Sequence, residues 1–302
     1  MAESQDTGLA TPNSSREQTI VISILVIVAA LIVGYYLAVT LIAKPKIGLI
    51  HLNEEVSATL AEVMAQEINY ARNAPDIKGV VLVVDSPGGS ASAGHDIYYQ
   101  VRKLRDDKPV VASMDTLAAS AAYQISVAAN EIYAKPASII GNIGVIMGQP
   151  QPETLSDEFL TTGPYKATGG SATSYLQKLD LLHADFRNSV IAERSKAPNP
   201  LKLAPEQVAT GEIWIGIEAK EHGLIDQLGS LLDAIDRAAQ MAGVGKNYQV
   251  VEVRDEYLAT LQGAELDAAT ALFHQVDSQP KIDLKAKTEK YPSFYQIYVP
   301  LE

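Results

Sequence analysis

"IKGVVLVVDSPGGSASAG", residues 77–94, decides how this chain folds. The run from Ile77 to Val84 is almost continuously apolar, as expected for a strand covered on both faces rather than one with a solvated side. It ends at Asp85 and Ser86. Pro87-Gly88-Gly89 then break the chain, and small residues open a helix that the pattern carries to about Leu104. A buried strand that turns directly into a helix is the unit of an α/β fold.

The same alternation continues outward. "KIGLIHL" (46–52) reads as a strand, and residues 54–73 place Val56, Leu60, Val63, Met64 and Ile68 at helical spacing. "KPVVASM" (108–114) reads as a short buried strand, the alanine-rich residues 118–130 as a helix, and "EIYAKP" (131–136) as a strand. A long helix is expected over 174–196, and helix, short strand, helix, turn and helix over 204–243. Parallel pairing follows from strands separated by helices. Beyond 245 the character changes. "YQVVEV" (248–253) is a strand candidate, 255–275 is helical, and 278–290 is a polar linker. The aromatic tail 291–302 is expected to dock on an unidentified surface. No repeat of solenoid length is present.

Composition narrows the function. Hydrophobic residues make up 47% of the 302 positions, enough to bury a core, and the formal net charge is −12. An acidic chain without a basic block is a poor partner for nucleic acid, which requires clustered Lys and Arg. The absence of cysteine excludes disulfides, thiolate metal sites and cysteine nucleophiles.

Residues 19–43, "TIVISILVIVAALIVGYYLAVTLIA", carry no charge. A helix of that length crosses the ~30 Å hydrocarbon core of a bilayer. The run exceeds the ~7–15 apolar residues of a signal-peptide core, and the tail before it is acidic, so a retained single-pass anchor in the lipid bilayer is expected. Residues 1–18 are polar and read as disordered. Lys44 and Lys46 follow the anchor, while Arg16 in the N-terminal tail faces Glu3, Asp6 and Glu17. That bias favours a cytoplasmic globular part.

Two segments could carry chemistry. Paired glycines at 88–89 let an N–H point into a site, where it can stabilise an oxyanion, although an ordinary strand-to-helix turn has the same composition. In "DTLAASAAYQIS" (115–126), Ser120 sits among alanines. This suits either a nucleophile approached by another chain or a tightly packed helix. A serine nucleophile needs a base. The five histidines, His51, His95, His183, His222 and His274, lie in no setting resembling a catalytic turn and read as surface or structural. Lys166, in the small-residue loop "TTGPYKATGG" (161–170), is the other candidate. A lysine, with a free pKa of ~10.4, becomes a base only where desolvation disfavours its ammonium form. In isolation Lys166 equally reads as a solvated loop residue.

Taken together, "DSPGGS", "AASAAYQISVAANEIYAKPASIIGNIGV", "TTGPYKA" and "GEIWIGIEAKEHGLIDQLGSLLDAI" resemble the signal peptide peptidase A family of membrane-anchored serine peptidases, in order, over residues 46–243. The resemblance implies an α/β Clp-peptidase/crotonase-like spiral of strand–helix units preceded by a single transmembrane helix, with 244–302 as an extension of unknown role. It implies Ser120 as nucleophile, Lys166 as general base, and Gly89 as one oxyanion-hole donor. The N–H of Ala121, next after the nucleophile, is the natural second donor. It further implies no cofactor or metal, and substrates that are cleaved signal peptides or other membrane-associated peptides with small or apolar residues near the cut. A homo-oligomeric ring whose serine and lysine come from adjacent subunits, and an extracytoplasmic catalytic domain, complete the expectation.

The chain departs from the family pattern at Gly141-Asn142-Ile143-Gly144, where Gly-Ser-Ile-Gly is usual, and in a short stretch between Val145 and Lys166. The related Clp peptidases use Ser–His–Asp, but "VIMGQP" (145–150) has Gly148 at about the histidine's place. A crotonase-like acyl-CoA enzyme and a non-catalytic membrane scaffold share the fold and remain the alternatives.

Overall fold

The computed structural model describes residues 14–41, 44–148, 162–163 and 165–278. The chain divides into two units, Met1–Lys44 and Pro45–Glu302. In the first, helix α1 (Ser14–Leu41) includes one window, Gln18–Tyr36, long and apolar enough to cross a membrane, with none of it buried against protein. The helix begins at Ser14, so the polar segment read as disordered through residue 18 gives up its last five residues to it.

The second unit is built on one sheet. Strand β1 (Lys46–Leu52) leads through helix α2 (Ala58–Asn73) to β2 (Ile77–Ser86), then through α3 (Ala91–Asp107) to β3 (Val110–Ala119). Helix α4 (Ala121–Ser126) follows directly, then β4 (Glu131–Ala134) and β5 (Ile139–Gly141). The long α5 (Ala172–Arg194) precedes α6 (Pro205–Val208), β6 (Ile213–Ile215), α7 (Gly216–Glu221), β7 (Gln227–Leu228) and α8 (Leu231–Met241). Strand β8 (Gln249–Glu252) and helices α9 (Val253–Leu258) and α10 (Gly263–Asp277) complete the described chain. The strand order is β6-β5-β3-β2-β1-β8, with β4 on β3 and β7 on β4. Pairing is parallel throughout except between β5 and β6, which run antiparallel against the all-parallel expectation.

Alternate side chains of the central strands feed two cores. Ile47, Leu49, Val81, Val83 and Val111 pack on α8 through Ala234, Ile235 and Ala238. Ile50, Leu52, Leu82, Val84, Ala112 and Met114 fill the opposite face with residues of α2, α3 and α4. Each fully buried aliphatic side chain contributes ~1.5–3 kcal/mol, which is why the central strands read as continuous apolar runs.

Several boundaries differ from the sequence reading, and the helix expected over 255–275 is the pair α9 and α10. Helix α2 starts at Ala58 rather than 54 because Ser57 caps it, its Oγ accepting the Leu60 N–H at 3.2 Å. Residues 118 and 119 belong to β3 rather than to the following helix, because Leu117–Ala119 pair with β5, a strand the pattern did not give. That helix also ends at Ser126, short of 130. The segment after residue 243 joins the sheet directly: β8 pairs with β1 along Lys46–Leu49. The dockable tail 291–302 and most of the polar linker lie outside the described residues.

Lys46, counted above as a flanking charge of the anchor, has a place in this fold. Its ammonium meets Glu256 at 2.6 Å and Asp76 at 2.9 Å, and these hydrogen bonds raise its pKa to about 12.

Candidate active site

The strands β2 and β3 converge on one corner. They run in register to the pair Val84–Met114 and then slip, so that Ser86 stands opposite Ala118. The extra residues of β3 bulge out, and the half-buried Asp85 braces them by accepting the Leu117 N–H at 3.0 Å. Burial holds the Asp85 carboxyl above its usual range, opposed by that N–H. Beyond the bulge β3 delivers the chain to Ser120.

Ser120 has φ 54° and ψ −127°, one of two described non-glycine residues with positive φ. Such a conformation costs ~1–3 kcal/mol and persists only where its surroundings enforce it. The enforcement is visible on both sides of the residue. The Ser120 N–H donates to Gly141 O at 2.9 Å, and its C=O accepts the Gln124 N–H at 3.0 Å. Behind it, the buried Tyr123 hydroxyl donates to Leu224 O at 2.8 Å, and burial raises its pKa. The sharp strand-to-helix turn leaves the first N–H of α4, that of Ala121, without an intrahelical acceptor.

The glycine turn abuts this elbow. At Gly88, φ is +90°, and a Cβ there would lie 2.7 Å from Ser120 Cβ and 2.8 Å from Ala121 N. Val56 is threaded beside the turn: its N–H donates to Gly88 O and its C=O accepts the Ser90 N–H, both at 2.8 Å. These bonds flank Gly89 and leave its own N–H with no acceptor among the described residues. Ser120, Ala121 and Gly89 therefore share one site, a cavity of about 790 Å³.

Lys166 does not line that cavity. It is exposed, in the turn 165–168, with its N–H donating to Gly163 O at 3.3 Å. The stretch 149–161 before it, most of the shortened Val145–Lys166 connection, lies outside the described residues. Helix α5 leaves this turn and remains unburied until Phe186, with Leu176 63% and Leu181 71% exposed. Its C-terminal end is fixed by Arg194, whose guanidinium meets the Asp226 carboxylate at 2.8 and 2.9 Å with both side chains buried.

Asn142 occupies the position where the family pattern has serine. Its φ is 48°, a left-handed conformation that asparagine tolerates, and its amide donates to Gly211 O at 2.9 Å.

Two histidines read as structural from sequence line the cavity, His95 and His183, as does Gln124. His95 Nδ1 donates to Ala91 O at 2.8 Å and Nε2 lies 2.7 Å from Asp185 Oδ2. His183 Nε2 donates to Ala209 O at 2.6 Å. Both rings are thus tied to neighbouring elements while facing the site. A positional signal existed: Gln124 lies four residues after Ser120, on the same helical face, and His95 four residues after Ala91 at the start of α3.

The chain was compared with known proteins. The sequence model of peptidase family S49 matches residues 102–245, and that of Clp protease matches residues 40–150. Serine protease SPPA, chloroplastic, of Arabidopsis thaliana is 31% identical over 208 residues, 65% of this chain and 31% of that protein. Protease 4 of Salmonella typhi is 31% identical over 209 residues, 65% of this chain and 33% of the other. A putative protease of Methanocaldococcus jannaschii is 35% identical over 191 residues, 58% of this chain and 60% of the other. The chain thus spans about a third of the length of the first two relatives.

Proposed function

We propose that the chain, whose residues 102–245 match the model of peptidase family S49, is a membrane-anchored serine endopeptidase that works through Ser120 and Lys166. The observation that carries the reading is the strained Ser120 at the strand–helix elbow, set against a glycine turn whose Gly89 N–H is unclaimed. Strain of this kind, maintained by surrounding hydrogen bonds, is characteristic of an exposed nucleophile.

In this mechanism a neutral Lys166 takes the Ser120 proton, and Oγ attacks the scissile carbonyl. The developing oxyanion is received by the N–H groups of Gly89 and Ala121. Collapse expels the amine, which takes the proton back from Lys166, and leaves an acyl-enzyme with the lysine neutral again. Water, deprotonated by the same lysine, then releases the acid.

The lysine comes from a neighbouring subunit of a homo-oligomeric ring. Two features support this: Lys166 is absent from the cavity of its own chain, and the half of α5 that follows it leaves Leu176 and Leu181 exposed. Helix α1 holds the enzyme in the cell membrane, and the substrates are cleaved signal peptides or other membrane-associated peptides. The catalytic unit lies outside the cytoplasm. Lys46, paired with Asp76 and Glu256, is accounted for by the fold and needs no topogenic role.

A fluorophosphonate probe tests the nucleophile. Wild type is expected to label, and Ser120→Ala to lose labelling. Labelling that survives Ser120→Ala refutes the assignment, and a wild type that never labels returns the chain to the scaffold or acyl-CoA readings. Lys166→Arg is expected to be inactive because guanidinium stays charged. Mixing Ser120→Ala chains with Lys166→Ala chains is expected to restore peptide cleavage, and no recovery refutes the shared site.

A further inference from the structure

The turn that carries Lys166 is held from two sides. From within, the Gly169 N–H donates to Tyr165 O at 2.7 Å, and the Lys166 N–H donates to Gly163 O at 3.3 Å. From outside, the hydroxyl of Tyr175, in the first turn of α5, reaches back and donates to Thr168 O at 2.6 Å. The contact is close. Gly169 has φ +71°, and a Cβ there would stand 2.8 Å from that hydroxyl, so the position requires glycine. Lys178, three residues further along the helix, backs the tyrosine. Its ammonium lies 4.8 Å from the centroid of the Tyr175 ring and donates to Gly169 O at 3.4 Å. The helix does not need the tyrosine for its own start, because Ser171 caps it, its Oγ accepting the Ser174 N–H at 3.2 Å. What the tyrosine fixes is the backbone two residues beyond Lys166, relative to a helix whose far end is clamped by the buried Arg194–Asp226 pair.

We propose that Tyr175 is a positioning residue for the reaction: its hydroxyl, backed by Lys178, sets where the turn presents Lys166. The inference rests on the reading of Lys166 as the general base. A lysine side chain has four rotatable bonds, and an exposed turn bounded by Gly163, Gly169 and Gly170 is slack unless something outside it holds it. A base that must come within hydrogen-bond reach of a hydroxyl needs its backbone fixed by supporting contacts. A misplacement of about 1 Å in such a constellation costs on the order of 10²-fold in rate. Tyr175 does not line the Ser120 cavity of its own chain and acts through Lys166.

The test measures fluorophosphonate labelling of full-length protein in detergent, as the maximal rate and the half-saturating probe concentration. Tyr175→Phe keeps the ring beneath Lys178 and removes only the hydroxyl. It is expected to lower the maximal rate at least tenfold, with the half-saturating concentration within twofold of wild type and the protein folded by calorimetry. A tyrosine that only stabilised α5 would lower the unfolding temperature and leave that rate in place. Gly169→Ala, whose Cβ would displace the hydroxyl, should slow labelling to a similar degree, but no more than threefold when added to Tyr175→Phe, because both act on one contact. In mixtures of Ser120→Ala with Lys166→Ala chains, Tyr175→Phe on the Ser120→Ala chains, which supply the lysine, should slow labelling at least tenfold relative to the same change on the Lys166→Ala chains. A fall of less than tenfold in folded Tyr175→Phe, where Lys166→Ala is inert, overturns the inference and leaves the base assignment standing. Equal rates from the two placements do the same. Labelling of Lys166→Ala at the wild-type rate, or a wild type that never labels, overturns both. If Tyr175→Phe does not fold, a wild-type rate in Gly169→Ala overturns the inference instead. A mixture that never labels removes the shared site only, and the rate of Tyr175→Phe alone then decides.

Discussion

Replacing Gly88 by alanine places a single methyl group where the structure has the least room for it. The new Cβ would stand 2.7 Å from Ala119 O and from Ser120 Cβ, and 2.8 Å from Ala121 N, whereas ordinary contacts begin at 3.4 Å. All three neighbours belong to the strand–helix elbow at Ser120, and two of them are backbone atoms that have no rotamer to change. Relief requires the turn and the elbow to separate by roughly 0.7 Å, and a misplacement of about 1 Å in a catalytic constellation costs on the order of 10²-fold in rate. In the proposed mechanism, drawing Gly89 N–H away from the oxyanion position removes one donor, which alone costs about 10²–10³-fold. The backbone adds a separate penalty of roughly 1–2 kcal/mol for a Cβ at left-handed φ. For a unit of this size that corresponds to a fall in unfolding temperature of roughly 2–8 °C. The assay is the second-order rate of fluorophosphonate labelling, measured beside a calorimetric unfolding scan. Gly243→Ala is the control, because Gly243 has φ +69° with nothing within 4 Å of a Cβ, so it takes the conformational penalty without the collision. The expected result is at least 100-fold slower labelling for Gly88→Ala and unchanged labelling for Gly243→Ala, both being modestly less stable. Labelling of folded Gly88→Ala within threefold of wild type would refute the claim that the glycine turn sets the geometry of the nucleophile.

Two further outcomes follow from buried charges. Asp226→Ala removes the carboxylate that neutralises Arg194 and also accepts the Ile132 and Asn199 N–H groups. A buried charge left without its partner is expected to cost about 3–5 kcal/mol, read as a large fall in unfolding temperature, and a change within experimental error would contradict the assigned burial. Burial raises the Glu67 pKa to about 7, against the opposing hydrogen bond from Arg254. Between its ordinary value near 4.5 and about 7 the folded chain holds a proton that the unfolded chain has released, so the contribution of Glu67 to stability is full below pH 4.5 and lost as pH rises through 7. Glu67→Gln should flatten that part of the stability profile and leave the protein more stable than wild type at pH 8, and an unaltered slope in a folded variant would rule out Glu67 as its source.

The elements legible in the sequence were those whose burial is two-sided or periodic. The 77–86 strand was read to the residue, because Val80 to Val84 must be apolar wherever they point, with α8 on one face and α2–α4 on the other. The elbow was legible as composition, small residues around Ser120, but not as geometry. The sequence pattern continued helix back to residue 118 because Ala118 and Ala119 have high helical propensity, and what overrides it is tertiary: three residues of β5 pair with Leu117–Ala119 and hold them extended. The bulge braced by Asp85 left no periodic trace, since a register slip is a relation between two strands and neither one records it alone. The same reasoning explains the inward-facing histidines. His95 and His183 sit on ordinary amphipathic helices, and only the packing of α3, α4 and α5 around one corner decides which faces meet.

Lys166 is a more instructive case. The stretch around it carries no periodic pattern, so its assignment rests on resemblance, and the folded chain holds it in an exposed turn that does not line the Ser120 cavity. Helix α5 nevertheless has a design that a monomer does not require. Its last turn is clamped by the buried Arg194–Asp226 pair, while its first half presents Leu176 and Leu181 to solvent. The helix is thus anchored at its C-terminal end, and its N-terminal half, which follows the turn that carries Lys166, leaves two leucines uncovered. Exposed leucines at that density are favourable only when covered, and covering them with a second copy of this chain would bring that copy's cavity toward the same turn. On this argument the exposed leucines of α5 and the absence of Lys166 from the cavity of its own Ser120 have one cause. Substituting Leu176 and Leu181 with Asp should then abolish cleavage together with assembly, while each isolated chain keeps its fold. Sedimentation of that variant as an active monomer would separate the two observations and remove the reason for sharing the site.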